Sequence, residues 1–212
     1  MRVKICGITN LNDAKCAVDA GADALGFLAG ITHLAEDKID ISDASDIIKQ
    51  LPPFVTKVAV THYTSSEDII PILKITNVDT VQLQNEITIE AIEEIINILP
   101  YLKVIKAISI IDESSIEKAR RFDGIVDALL LDSRTTDRLG GTGNTHDWNI
   151  SKQIVGIVKC PVILAGGLTP ANLMNAIELT KPFAVDVNSG VETNGIKDKE
   201  KVKDFIRIAR LY

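Results

Sequence analysis

The chain has 212 residues, 46% hydrophobic and 25% charged, with 23 basic against 29 acidic side chains and a formal net charge of −6. That length suffices for one well-buried core, so a single domain over residues 1–212 is the expected count. The acidic balance argues against nucleic acid or an anionic membrane surface as the main partner, while leaving room for a local positive patch that holds a small anion.

Strand-like apolar runs alternate with helical patterns from one end to the other. Residues 3–6 open as a strand stopped by Gly7, and residues 11–20 follow as a helix, with Thr9 or Asn10 as N-cap and Gly21 as its stop. Residues 24–28 give a second strand and 43–51 a helix ended by Pro52-Pro53; residues 56–61 and 66–75 repeat the pair. A fourth strand covers 80–84, with Thr88 capping a helix to Leu99, and a fifth covers 103–108, followed by a helix over 115–122. Residues 128–131 and 149–158 make the sixth pair; strand seven spans 162–165, with Thr169-Pro170 opening its helix in N-cap and N1 style. Strand eight spans 184–187, and a helix over 199–212, whose charged residues read as a solvated face, closes the chain.

Eight strands, each followed by a helix, predict an α/β fold, a compact (β/α)8 TIM barrel of about 26 residues per unit. A doubly wound sheet uses the same alternation, but its first strand turns into a GxGxxG loop, whereas this one ends in Cys6-Gly7. Cys6, Cys16 and Cys160 lie far apart with no CxxC spacing, which fits free thiols in a reducing compartment. The start MRVKICGITN lacks a signal-peptide apolar region, and no run approaches the ~18 apolar residues of a membrane helix, so a cytoplasmic location is expected.

The chemistry-bearing residues collect at strand ends. Asp132 follows the apolar run Ala128-Leu129-Leu130-Leu131, and a polar loop then reaches Gly140-Gly141-Thr142-Gly143. Further clusters, Gly166-Gly167 and Ser189-Gly190, follow strands seven and eight. Singly, each cluster reads equally as a tight turn; three in neighbouring loops of a barrel suggest backbone amides that cradle a phosphate. The GGTGNT string lacks the Lys-Ser/Thr ending of a nucleotide P-loop. Cys6 at the end of strand one reads either as a small core residue or as a thiolate base, and the second role requires a thiol depressed by nearby positive charge. Asp186, inside an apolar strand, is costly to bury without a partner, and serves either as a structural acid or as a ligand. Asp132 is the better catalytic acid. His33, His62 and His146 show no metal-ligand spacing, so no metal is expected, and His146 is expected to pack or hydrogen-bond beside Asp147-Trp148.

The chain resembles the phosphoribosylanthranilate isomerases of tryptophan biosynthesis over essentially its whole length. The matching segments are Val3-Lys4-Ile5-Cys6-Gly7-Ile8-Thr9, Ala20-Gly21-Ala22-Asp23-Ala24-Leu25-Gly26-Phe27 and Val81-Gln82-Leu83. Leu130-Leu131-Asp132-Ser133, Gly140-Gly141-Thr142-Gly143 with Asp147-Trp148, Leu164-Ala165-Gly166-Gly167-Leu168, and the segment from Val185 to Glu192 complete the set. The resemblance implies an Amadori rearrangement of N-(5-phosphoribosyl)anthranilate to the 1-deoxyribulose phosphate by general acid–base catalysis, without a cofactor, in a monomer or homodimer. It implies Cys6 as general base, Asp132 as general acid, Asp186 and Gln84 at the substrate, and Gly141, Gly143, Gly166, Gly167, Ser189 and Gly190 at its phosphate. Two departures stand out. The loop after strand two lacks the family's arginine, leaving Lys38 as the nearest basic substitute, and Gln84-Asn85 replaces the family's His-Gly. The alternative is a paralogous barrel isomerase acting on another phosphorylated sugar amine.

Overall fold

The computed structural model describes residues 1–32, 37–133 and 145–212. Eight parallel strands close into a barrel in chain order: β1 (Arg2–Ile5), β2 (Ala24–Leu28), β3 (Thr56–Thr61), β4 (Thr80–Leu83), β5 (Lys103–Ile110), β6 (Ala128–Ser133), β7 (Val162–Leu164) and β8 (Ala184–Val187). Closure is made by β1 against β8, in the register Lys4 opposite Asp186 and Ile5 opposite Val187. The helices α1 (Leu11–Asp19), α2 (Ile41–Ile48), α3 (Ser66–Thr76), α4 (Ile89–Ile98), α5 (Ser114–Phe122), α6 (Trp148–Ile157), α7 (Leu173–Thr180) and α8 (Lys199–Ala209) alternate with them. The (β/α)8 barrel expected from the alternation is therefore the architecture formed.

Side chains that alternate along each strand divide the core in two. Outward residues such as Ile5, Leu25, Leu83, Leu129 and Val185 join the inner faces of the helices in one large apolar cluster. Inward residues make two smaller sets, one around Ile105, Leu130 and Ile163, the other around Cys6, Leu28, Val58 and Val60. Gln84, Asp132 and Asp186 reach a cavity at the carboxyl ends of the strands, which places the chemistry at that face.

Caps fix where the helices start. Asn10, the second of the two expected caps, accepts the Asp13 N–H; Thr88 accepts that of Ala91, and Asp198 accepts those of Glu200 and Lys201. Thr169-Pro170 does not open α7. The Asn172 side chain instead accepts the Thr169 N–H and donates to the Gly167 carbonyl, winding the chain through a turn before the helix begins at Leu173. A 3₁₀ turn (Ser189–Val191) and a hairpin of β9 (Glu192–Thr193) and β10 (Ile196–Lys197) fill what the sequence presented as a plain connection to α8. The hairpin turns on Asn194 and Gly195, at φ 55° and 75°, the positive pair that a type I′ turn demands. No helix among the described residues is long and apolar enough to cross a membrane.

Candidate active site

A cavity of about 150 Å³ opens at the carboxyl ends of the strands. Cys6, Gln84, Asp132 and Asp186 line it together, from the ends of β1, β4, β6 and β8. Cys6 extends β1, its N–H bonded to the Val187 carbonyl at 2.8 Å, so the inward alternation of the strand carries Lys4 and Cys6 to the same side. Lys4 Nζ donates to Asp186 Oδ1 at 2.9 Å in a pair almost wholly withdrawn from water.

Asp132 keeps part of its surface open to the cavity but is otherwise enclosed. Burial, and then the Asp186 carboxylate, push its pKa up to about 6. Gln84 Nε2 works the other way, donating to Asp132 Oδ2 at 3.0 Å, while Gln82 Nε2 donates to Gln84 Oε1 at 2.9 Å and sets the amide's orientation. An acid titrating near neutrality is well suited to deliver a proton. Gln84 lines the cavity, yet its amide is committed to Asp132. Gln84→Leu removes a donor that favours the carboxylate, so the acid is expected to hold its proton to higher pH. The break that this acid sets in the kcat/KM pH profile should then move upward by up to about one pH unit; an unmoved break would show that the contact does not tune Asp132.

Cys6 departs from the depressed thiol that a base requires. Burial pushes it up to about 11, and the nearby Lys4 and, more weakly, Lys197 ammoniums pull it down without prevailing. For Lys4, burial alone would lower the pKa, but Asp186 and then Cys6 outweigh it and hold the side chain firmly as an ammonium.

One rim of the cavity is backbone. Gly166, Gly167, Ser189 and Gly190 line it, from the segments after β7 and β8. Gly166 has φ +80°, and a Cβ there would fall 2.3 Å from the Ser133 nitrogen; at Gly190 it would fall 1.8 Å from the Leu168 carbonyl oxygen. Three chain segments thus meet at separations that only glycine permits, so that part of the rim is backbone. Gly141 and Gly143, the other two candidates for that rim, lie outside the described residues.

A model of the family described as N-(5'-phosphoribosyl)anthranilate (PRA) isomerase matches residues 3–208. The chain belongs to this family. It is 40% identical over 213 residues to N-(5'-phosphoribosyl)anthranilate isomerase 2 of Methanosarcina mazei, covering 99% of this chain and 94% of the relative. It is likewise 40% identical to the isomerase of Methanothrix thermoacetophila, covering 99% and 98%. Among solved structures, the phosphoribosyl anthranilate isomerase of Thermotoga maritima superposes with a TM-score of 0.89 at 38% identity over the full length of both chains. A further structure, a phosphoribosyl anthranilate isomerase in complex with reduced 1-(o-carboxyphenylamino)-1-deoxyribulose 5-phosphate, matches at TM-score 0.85 and 36% identity, again over both full lengths.

Lys38 is exposed, pairs with Leu28 through an isolated bridge and is not among the residues lining the cavity; Asp37 is. Lys38→Ala is accordingly expected to leave KM for phosphoribosylanthranilate within about twofold of the parent; a rise of tenfold in steady-state assays would restore Lys38 to the substrate. Asp37 accepts from the Asn188 side chain, whose Oδ1 in turn accepts from buried Lys197 at 2.7 Å. Asp37, Asn188, Lys197, His62 and Lys4 were all missed from sequence, although Asn194-Gly195 announced the hairpin that delivers Lys197. His146 sits beside the cavity wall rather than in it. Its ring nitrogens bridge Ser133 Oγ at 3.1 Å and Ser151 Oγ at 2.6 Å, and burial pulls its pKa down to about 4, so it joins β6 to α6 as a neutral imidazole.

Proposed function

We propose that this chain is the phosphoribosylanthranilate isomerase of tryptophan biosynthesis, with Asp132 as general acid and Cys6 as general base. Asp132 gives its proton to the furanose ring oxygen; the C1′–O bond breaks toward that oxygen as the anilinic nitrogen forms the Schiff base. Cys6 takes the proton from C2′, the C2′–H electrons enter the enolamine, and tautomerisation gives the 2′-ketone. Gly166, Gly167, Ser189 and Gly190 receive the phosphate through backbone amides, and Asp186 and Gln84 face the anthranilate end. The observation that carries the reading is the single cavity into which an acid titrating at about 6 and a cysteine project from different strands, with a glycine rim alongside.

The test is a coupled assay with freshly prepared phosphoribosylanthranilate, or rescue of a tryptophan auxotroph lacking this step. Turnover with kcat/KM in the ordinary enzymatic range of about 10⁴ M⁻¹s⁻¹ or above supports it. The Asp37 carboxylate in the cavity favours one second reading, a barrel isomerase for a phosphorylated sugar amine without an aromatic carboxylate. Failure to turn over phosphoribosylanthranilate, with conversion of such a sugar amine, would select it.

A further inference from the structure

The acid and base present a difficulty that the cavity itself resolves. The reactive arrangement needs Asp132 protonated and Cys6 ionised, yet in the free protein the acid titrates at about 6 and the thiol at about 11. The required pair of protonation states is then outnumbered by roughly five powers of ten. Something beside Cys6 has to favour its anion during turnover.

Lys4 occupies the place where such a group would act. TIM-barrel interiors are filled mainly by branched aliphatic side chains, and a buried ammonium costs several kcal/mol unless it is well paired. Lys4 is nonetheless buried, with 4% of its side chain exposed, two residues before Cys6 on the same inward face. Its amine carries three donors. One meets Asp186 Oδ1 at 2.9 Å, and the Cys6 sulfur and the amine border the same small space beside Gly26. Gly26 on β2 makes this possible: a Cβ there would fall 2.7 Å from Cys6 Sγ and 3.0 Å from Lys4 Nζ, so a side chain at that position would displace both groups.

We infer that Lys4 is a positioning residue for Cys6, its ammonium shared between the Asp186 carboxylate and the sulfur as the counter-charge that lets the thiolate form when substrate is bound. The catalytic meaning of this inference rests on the isomerase reading above. Among the described residues, the other charged or titratable groups around Cys6 are Asp186 from β8, Lys197 from the β9–β10 hairpin, Asp132 from β6, His62 after β3 and Asp37 after β2. Two ammoniums therefore face three carboxylates, and the sulfur is served only as far as Lys4 is not held by Asp186. A substrate N–H that donates to Asp186 satisfies part of that carboxylate and leaves more of the Lys4 charge for sulfur. Binding and base activation are coupled through one side chain.

The experiment is alkylation of Cys6 by iodoacetamide across the neutral-to-alkaline range, read by peptide mapping that separates Cys6 from Cys16 and Cys160. In Lys4→Met the rate profile is expected to move to higher pH, with alkylation at a fixed neutral pH about tenfold slower or more, and kcat about tenfold lower with KM within threefold. Lys4→Gln, which still donates to Asp186 without charge, gives the same shift and serves should the methionine variant fail to fold. A folded variant whose alkylation profile matches the parent overturns the inference, as does a loss confined to KM. If the alkylation shift appears while the parent protein does not convert phosphoribosylanthranilate, the isomerase reading falls and the Lys4–Cys6 coupling stands.

Discussion

Cys6→Ala is expected to lower kcat by about 10²- to 10⁴-fold while leaving KM close to that of the parent, as measured in the coupled assay. A general base acts on the transferring proton and contributes little to ground-state binding, so its loss appears in turnover rather than affinity. The fold tolerates the change. Cys6 is 5% exposed and touches the small apolar set of Leu28, Val58 and Val60, so deleting one sulfur leaves a void beside an already open cavity. The stability cost should be about 1 kcal/mol, at the low end for a large-to-small change, with an unaltered far-UV spectrum as control. Near-parental turnover in a folded Cys6→Ala protein would sink the assignment of the base and return Cys6 to the role of core residue.

The barrel was legible because closure depends on a pattern visible in one dimension: short apolar runs at regular spacing with a helical period between them. Asp132 was legible for a related reason. A carboxylate next to Ala128-Leu129-Leu130-Leu131 interrupts a buried run where a strand must end, and such a place in a barrel is the mouth. What stayed hidden is set by partners distant in sequence. Lys4 is not singled out by the strand pattern, although the two-residue period that turns Cys6 inward turns Lys4 inward as well. Only its contact with Asp186, 182 positions away, explains how that buried charge is sustained.

The state of the thiol is hidden from the sequence for the same reason. Proximity to positive charge was foreseeable in kind, but the depth of burial that outweighs it comes from β2, β3 and β8 together. The start of α7 shows a local rule losing to a neighbour: Thr169-Pro170 had the right chemistry for an N-cap, and Asn172 captured the Thr169 N–H and the Gly167 carbonyl instead. That exchange has a functional consequence, because it anchors Gly167 at the cavity rim. At the loop after β2, residue type suggested Lys38, yet the backbone presents Asp37 inward and Lys38 to solvent. Adjacent positions on an extended segment face opposite ways, so a shift of one residue exchanges a cation for an anion at the site.

Asp132→Asn is expected to reduce kcat by about 10²- to 10⁴-fold and, unlike most site substitutions, to leave the protein at least as stable as its parent at neutral pH. The sign follows from the environment of the acid. Burial and the nearby Asp186 raise its pKa from the ordinary 3.8 to about 6, so the fold prefers the protonated form. Native-state stability is therefore lost as pH climbs through about 6 and the carboxylate is forced to ionise. An asparagine amide never ionises there, and its oxygen can still accept from Gln84 Nε2, which preserves the Gln82–Gln84 chain. With the acid at about 6 and the thiol at about 11, each pH unit gained between them costs the acid what it gives the thiolate, so the parent's kcat/KM should rise to about pH 6 and level off above it; in Asp132→Asn that break should be absent. Thermal melts of the two proteins at pH 5 and pH 8 provide the matching control: the variant's advantage should grow with pH. A break retained near pH 6 in the variant would move the proton donor to another group in the cavity. A variant that melts lower than the parent at pH 8 would show instead that the ionised carboxylate supports the fold.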